Sequence, residues 1–207
     1  MTYFSKNSKR SLSFRYMFAT LIMMLVFVCA GCGGNGDEQA QLGANGYVVT
    51  DSAGNKLVFK EKPMRIVSLN ISSDEMLVDL VPIERMVSVT PYADDPGVSN
   101  IVEKAKKIPT RIGNDSIEQL LYARPDVVVV SDMFKSEAVK TLHEAGVKVY
   151  VFKNPKNYEE IKKQITGLAV MTGEVERGKE MIANMDAKLA KIKERVADVR
   201  PDEMRKV

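Results

Sequence analysis

The stretch that most constrains this chain is Asp126 to Ser131, DVVVVS, where four valines stand in a row behind Pro125. A β-branched run this short is a strand, and one that is apolar at odd and even positions alike must be covered on both faces. Three further short apolar runs lie in the same half of the chain: RIVSL at 65–69, MVSVT at 86–90 and KVYVF at 148–152. Helix-patterned segments separate them, at Asp74 to Leu80, Ser116 to Tyr122 and Lys135 to Ala145, with Gly146 as the stop after the last. Strands alternating with helices, one of them buried on both sides, predict a mainly parallel sheet between two helical layers. The expected fold is therefore an α/β, doubly wound lobe with right-handed crossovers.

The first of these units, RIVSLNISSDEML, runs from a strand straight into small polar residues and a helix start. Asn70, Ser72, Ser73 and Asp74 can each set a side-chain oxygen over the free N–H groups of that helix. Open α/β sheets bind ligands beyond the carboxyl ends of their strands, which makes Asn70 and Ser72 candidate ligand contacts. Before this unit, YVVTDSAGNKLVF reads as a β-hairpin, Tyr47 to Thr50 against Leu57 to Phe59, ended by Pro63. Beyond Pro155 the pattern is helical to the end. Val175, Gly178, Ile182, Met185, Leu189, Ile192 and Val196 recur at alternating spacings of three and four, one narrow stripe along a helix of about 174–197. Such a stripe serves either a helix laid along its own domain or a coiled-coil pairing with a second chain.

The first thirty-one residues follow a different logic. Lys6, Lys9, Arg10 and Arg15 precede an apolar run from Tyr16 to Ala30, the layout of a secretory signal. They hold four of the 30 basic residues and none of the 27 acidic ones, which leaves 26 against 27, a net charge of −1 for the remainder. Without a basic excess there is no electrostatic case for nucleic acid. Gly33 to Gly46, rich in Gly, Asn and Gln, reads as a flexible tether over 32–46.

Together, Val28-Cys29-Ala30-Gly31-Cys32, TDSAGNKLVF, KPMRIVSLNISSDEML, TPYADDP and IGNDSIEQLLYARPDVVVV resemble, in this order, the substrate-binding lipoproteins of ABC importers for iron-siderophore, haem and cobalamin. The resemblance covers about Val48 to Arg195. It implies two α/β lobes bridged by one long helix, of which this chain carries the first lobe (47–156), the helical segment with the bridging helix (157–207), and no second lobe. It also implies that Cys32 is lipid-modified and anchors the protein to the bacterial membrane, exported on its outer face or in the periplasm. Tyr92 falls where the family presents an aromatic side chain to the ligand, with Ile112 and Asn114 in the next loop and Met133 and Phe134 in the one after DVVVVS. The implied ligand is an iron chelate, haem or a corrinoid, with no resident cofactor or metal. Glu118 matches the acidic residue that the family offers to arginines of the permease, so that the implied partners are the ABC permease and ATPase subunits. Three places depart from the pattern: Cys29 stands where leucine is usual, Asp74 where threonine is common, and Val81 with Pro82 where a glycine-containing turn is usual.

Other classes find less in the sequence. The βα turns contain no G-x-G-x-x-G, G-x-x-x-x-G-K-[ST] or G-x-S-x-G, so an enzyme is not expected. His143, the one histidine, sits in a helix beside Glu144, and a zinc or manganese site wants several imidazoles. The remaining alternative is a one-lobe interaction module that self-associates through the 175–196 stripe.

Overall fold

The computed structural model describes residues 46–197. The expected signal, Cys32, most of the tether and the last ten residues lie outside the described residues. Two strands form a hairpin, β1 (Tyr47–Thr50) antiparallel to β2 (Lys56–Phe59), with Tyr47 opposite Phe59 and Thr50 opposite Lys56. Tyr47, Val49, Leu57 and Phe59 point inward, and the rings of Tyr47 and Phe59 stack at 5.4 Å. Asp51 builds the turn, its Oδ1 accepting from the N–H groups of Ala53 and Asn55, while its Oδ2 accepts from Val151 N–H and ties the hairpin to the main sheet.

That sheet has five strands: β3 (Ile66–Ser68), β4 (Met86–Val89), β5 (Thr110–Arg111), β6 (Val127–Ser131) and β7 (Lys148–Phe152). All are parallel, in the order β5-β4-β3-β6-β7. The valine run does what its pattern demands. Val127 and Val129 enter a core with Ile66, Met86 and Leu77, whereas Val128 and Val130 enter a second core with Val67, Leu120 and Leu142. The doubly wound lobe follows, with α1 (Ile71–Leu80) supplying the first face and α3 (Ile117–Tyr122) and α4 (Ser136–Glu144) the second. The four-residue α2 (Val102–Ala105) lies between β4 and β5.

Helix α1 starts three residues earlier than Asp74. Asn70 alone caps it, Oδ1 accepting from the N–H groups of Ser72 (2.9 Å) and Ser73 (3.3 Å), so both serines lie inside the first turn and do not serve as caps. After β7 come α5 (Tyr158–Thr172) and α6 (Val175–Arg195), joined at Gly173, whose φ of +72° closes the first of them. The two run antiparallel, Tyr158 Oη donating to Asp186 at 3.0 Å near one end. Near the other, a Cβ on Gly178 would stand 2.5 Å from that of Ala169, so the helices touch through the missing side chain. Thus α6 is laid along its own domain. Its stripe is half-covered from Val175 to Leu189 and emerges at Ile192 (54% exposed) and Val196 (44%). Arg85, buried, pins the corner: its guanidinium donates to Pro63 O, Thr172 O and Glu174. Among the described residues no helix is long and apolar enough to cross a membrane.

Candidate ligand-binding site

The order β5-β4-β3-β6-β7 has its switch point between β3 and β6, where chain connections depart in opposite directions and a crevice opens at the strands' carboxyl ends. There the structure has an open concavity of about 180 Å³. Leu69, Asn70 and Ile71 reach it from the end of β3, Thr90, Pro91 and Tyr92 from β4, Gly113 and Asn114 from β5, and Ser131 from β6.

Tyr92 is 63% exposed at this rim, and the local sequence explains why. Pro91 to Asp94 makes a single 3-10 turn with proline in its first position, Ala93 turns inward and is fully buried, and Tyr92 is left facing solvent. The turn is held at both ends. Asp74 Oδ2 accepts from Thr90 N–H at 2.9 Å and from Thr90 Oγ1 at 2.6 Å. At the other end Arg111 grips Asp94 with Nε and Nη2, each 2.8 Å from a carboxylate oxygen, and also donates to the carbonyls of Ala105, Ile108 and Thr110. Hydrogen bonds from Arg111 hold the Asp94 carboxyl below its ordinary range. A fork of this geometry fixes position as well as charge.

Asp74 is the unusual group. It has no exposed surface, and burial pushes its pKa up to about 6, against the opposing pull of Ser68, Thr90 and the Arg111 charge. Among the described residues its Oδ1 has no hydrogen-bond partner. The Ser68 hydroxyl stands nearby, yet it is committed to Ser73 Oγ at 2.6 Å and to Asn70 O. Asn70 completes the wall, its Nδ2 donating to Asn154 Oδ1 at 3.0 Å across the loop after β7.

Of the residues singled out from sequence, Asn70, Tyr92 and Asn114 come together around the concavity. The others do not. Ser72 is half-buried within α1, and Ile112 is buried in the second core, leaving Gly113 to line the crevice in its place. Met133 is 88% exposed but away from the concavity, and Phe134 packs against the second core. Ser131, two residues earlier, occupies the position that the β6 loop contributes. Glu118 is exposed in the first turn of α3 and outside the concavity. Sequence reasoning passed over Thr90, Pro91 and Ser131, although each follows or ends a strand, which is the signal that marks them. His143 lies exposed on α4, and among the described residues no group of three or more His, Cys, Asp or Glu side chains gathers as a metal site would require. What the concavity offers is the aromatic face and phenol of Tyr92, the Asn114 amide and the Ser131 hydroxyl, beside an Asn70 amide and a Thr90 hydroxyl already bonded within the wall, a surface for holding a ligand by contact and hydrogen bonds.

The model of the periplasmic binding protein family matches residues 66–205. The uncharacterized ABC transporter substrate-binding lipoprotein YvrC of Bacillus subtilis (strain 168) is 26% identical over 199 residues, 92% of this chain and 62% of that protein. The iron-uptake system-binding protein of the same organism is 24% identical over 192 residues, 88% of this chain and 57% of that protein. The chain thus spans about three fifths of the length of these curated relatives. Among solved structures, a periplasmic heme binding protein from Pseudomonas aeruginosa superposes with a TM-score of 0.56 at 22% identity, over 65% of this chain and 47% of that one. A match across most of the sheet and both C-terminal helices settles the family: this chain belongs to the periplasmic binding proteins.

Proposed function

We propose that the chain carries a ligand-binding lobe of the extracytoplasmic solute-binding component of an ABC importer, which captures an iron chelate (siderophore or haem) or cobalamin and delivers it to the permease. The observation that supports this reading is the Tyr92 ring, exposed yet clamped at both ends of its turn above an open crevice. A fixed aromatic face suits a flat or bulky chelate, giving apolar contact at low entropy cost. In this reading residues 1–31 are a signal peptide and Cys32 bears the lipid that holds the protein outside the membrane, the tether of 32–46 giving it reach. Residues 47–156 form the lobe, 157–207 the helical segment, and Glu118 faces the permease. Nothing favours the alternative of a self-associating module, since α6 spends most of its stripe on its own domain.

A concavity of about 180 Å³ falls below the size of a pocket that encloses a whole ligand, so it touches one side of a chelate. Affinity for the chain of 207 residues is accordingly expected in the high micromolar range. Titration calorimetry with a ferric siderophore, haem and cobalamin tests the reading. Binding of one of them, weakened at least tenfold by Tyr92→Ala, is expected; heat from none of the three would overturn it.

A further inference from the structure

Asp74 is fully buried and bonds to two residues that line the concavity, its N–H donating to Asn70 O and its carboxylate accepting from Thr90. Toward the Tyr92 turn it accepts both hydrogen bonds of Thr90 on Oδ2. Toward the end of β3 it stands beside Ser68, whose hydroxyl meets Ser73 Oγ of α1 at 2.6 Å, and both hydroxyls point to the carbonyl of Asn70. Its other oxygen, Oδ1, is buried with no partner among the described residues. An ionised carboxylate with one bare oxygen in the interior is under tension between two needs: the charge strengthens the bonds from Thr90, while desolvation penalises that same charge.

We propose that Asp74 is a positioning residue of the ligand face: its carboxylate ties the Tyr92 turn to the first turn of α1, and taking up a proton loosens that tie, so that the face is firm at neutral pH and slackens on acidification. The proton lands on the vacant Oδ1. The neutral acid then has an O–H to donate toward Ser68 Oγ, and its bonds from Thr90 lose their charge assistance. Both walls feel the change, since Asn70 is reached through the serines and Tyr92 through Thr90. The other charged groups around Asp74 are bonded elsewhere or act on it from a neighbouring element. On its own helix, Glu75 accepts from Asn100 N–H and Asp79 pairs with Lys104 at the surface. From the β4 loop comes Asp94, held ionised by Arg111, and from β5 Arg111 itself, whose charge acts on Asp74. The C-terminal half of α5, Gln164 to Thr172, has no titratable side chain, and the Arg177 of α6 is bonded at the far end of α1, to Asp79 O.

The test has two arms, both on the full chain in detergent. In the first, amide hydrogen exchange across residues 86–98 is followed by mass spectrometry at pH 5 and 7.5 and corrected for intrinsic exchange. Local opening of the turn breaks the Thr90 bonds that hold the Asp74 carboxyl down while leaving it buried, so this opening takes up a proton, whereas global unfolding releases one; protection of the Tyr92 turn should therefore fall about fivefold at the lower pH, the loss expected when a charge-assisted pair of bonds becomes neutral. Asp74→Asn, which keeps the shape without the titration, should show the same protection at both values. Thr90→Val, which keeps Asp74 but removes one of its two donors, should show a weakened pH effect. His143→Gln should behave as wild type. Protection independent of pH in wild type, or a pH effect that survives Asp74→Asn, would overturn the proposal. The second arm rests on the function proposed above. Affinity for a ferric hydroxamate chelate, whose charge is constant between these pH values, should weaken about fivefold at pH 5 in wild type and stay level in Asp74→Asn. Absence of chelate binding at both pH values would count against that function alone, whereas a flat exchange profile overturns the role of Asp74 whatever the chelate does.

Discussion

Arg85 is where the helical hairpin α5–α6 is fastened to the sheet, and Arg85→Met should show how much that fastening is worth. The guanidinium is nearly inaccessible, its side chain 5% exposed, and it donates to Pro63 O twice (2.9 and 2.6 Å), to Thr172 O (2.7 Å) and to Glu174 (2.7 Å). Methionine keeps most of the stem but none of the donors. Two carbonyls then lose their charged donor, each at about 1–3 kcal/mol, while Glu174 retains Lys62 at 3.3 Å and part of its solvent contact. Sparing the desolvation of a buried cation returns some of this. The net loss should be about 3 kcal/mol, a large share of the roughly 5–15 kcal/mol that holds a domain together. Urea unfolding followed by far-ultraviolet circular dichroism should show the midpoint falling by about 1–2 M with the slope unchanged. Hydrogen exchange should show the loss first at Leu168 to Thr172, the end of α5 that Arg85 grips. A shift of under about 0.5 kcal/mol, the size of an ordinary surface substitution, would refute the reasoning. So would a loss spread evenly over the sheet.

Asp74→Asn should also change stability, with a sign opposite to that of a paired carboxylate. The folded-state pKa of about 6 lies above the ordinary 3.8, so the folded chain binds more protons between those values and stability falls as pH rises through that window. Burial of the group allows the shift to be converted, giving a penalty of about 3 kcal/mol at pH 7, of which about 2 kcal/mol separates pH 7 from pH 4, where the unfolded carboxyl is itself half protonated; unfolding free energies at the two pH values should differ by about that much more in wild type than in the variant. Tyr92→Ala should leave the unfolding midpoint within about 0.5 kcal/mol, because the ring is exposed, while weakening chelate binding at least tenfold in calorimetry. Glu118→Arg should lower uptake in cells without changing chelate affinity, since Glu118 is exposed and outside the concavity; unchanged uptake would leave it a carboxylate that complements the N-terminus of α3.

The sheet was legible where strands are long and apolar. Four of its five strands fall within the runs 65–69, 86–90, 126–131 and 148–152, because a buried parallel strand must be apolar on both faces and so stands out against helical spacing. The fifth, Thr110–Arg111, escaped notice for the converse reason: a two-residue edge strand has one neighbour, and its side chains are outward or half-buried. The start of α1 was misplaced because Asn70, Ser72, Ser73 and Asp74 are all good caps by type. What decides among them is the backbone, extended at Asn70 (φ −143°), and no single-residue preference carries that. The stripe of α6 was read correctly as a face, but its partner was not fixed by period alone. Gly178 fixes it in space, because only a bare Cα lets Ala169 come so close.

The ligand face shows a different limit. Tyr92, Asn70 and Asn114 lie on three loops separated by about twenty residues each, and what gathers them is the strand order, which places β3, β4 and β5 side by side with their carboxyl ends at one edge. Each loop announces itself in the sequence; their convergence does not. The residues that make the face rigid are harder still to see. Asp74 reads as one more helix-start carboxylate, yet it is turned inward to Thr90, sixteen positions away, and Arg111 reads as a charge on a strand edge, yet it grips Asp94, seventeen positions away. Both spans equal one β-loop-β or helix-β passage, so neither contact exists until the parallel sheet has brought neighbouring units into register. The aspartate at position 74 is then more than a helix-start carboxylate. It puts an ionisable group under a loop whose anchoring threonine it alone satisfies through both backbone and side chain, and gives this lobe a sensitivity to protons that a hydroxyl at the same place could not supply.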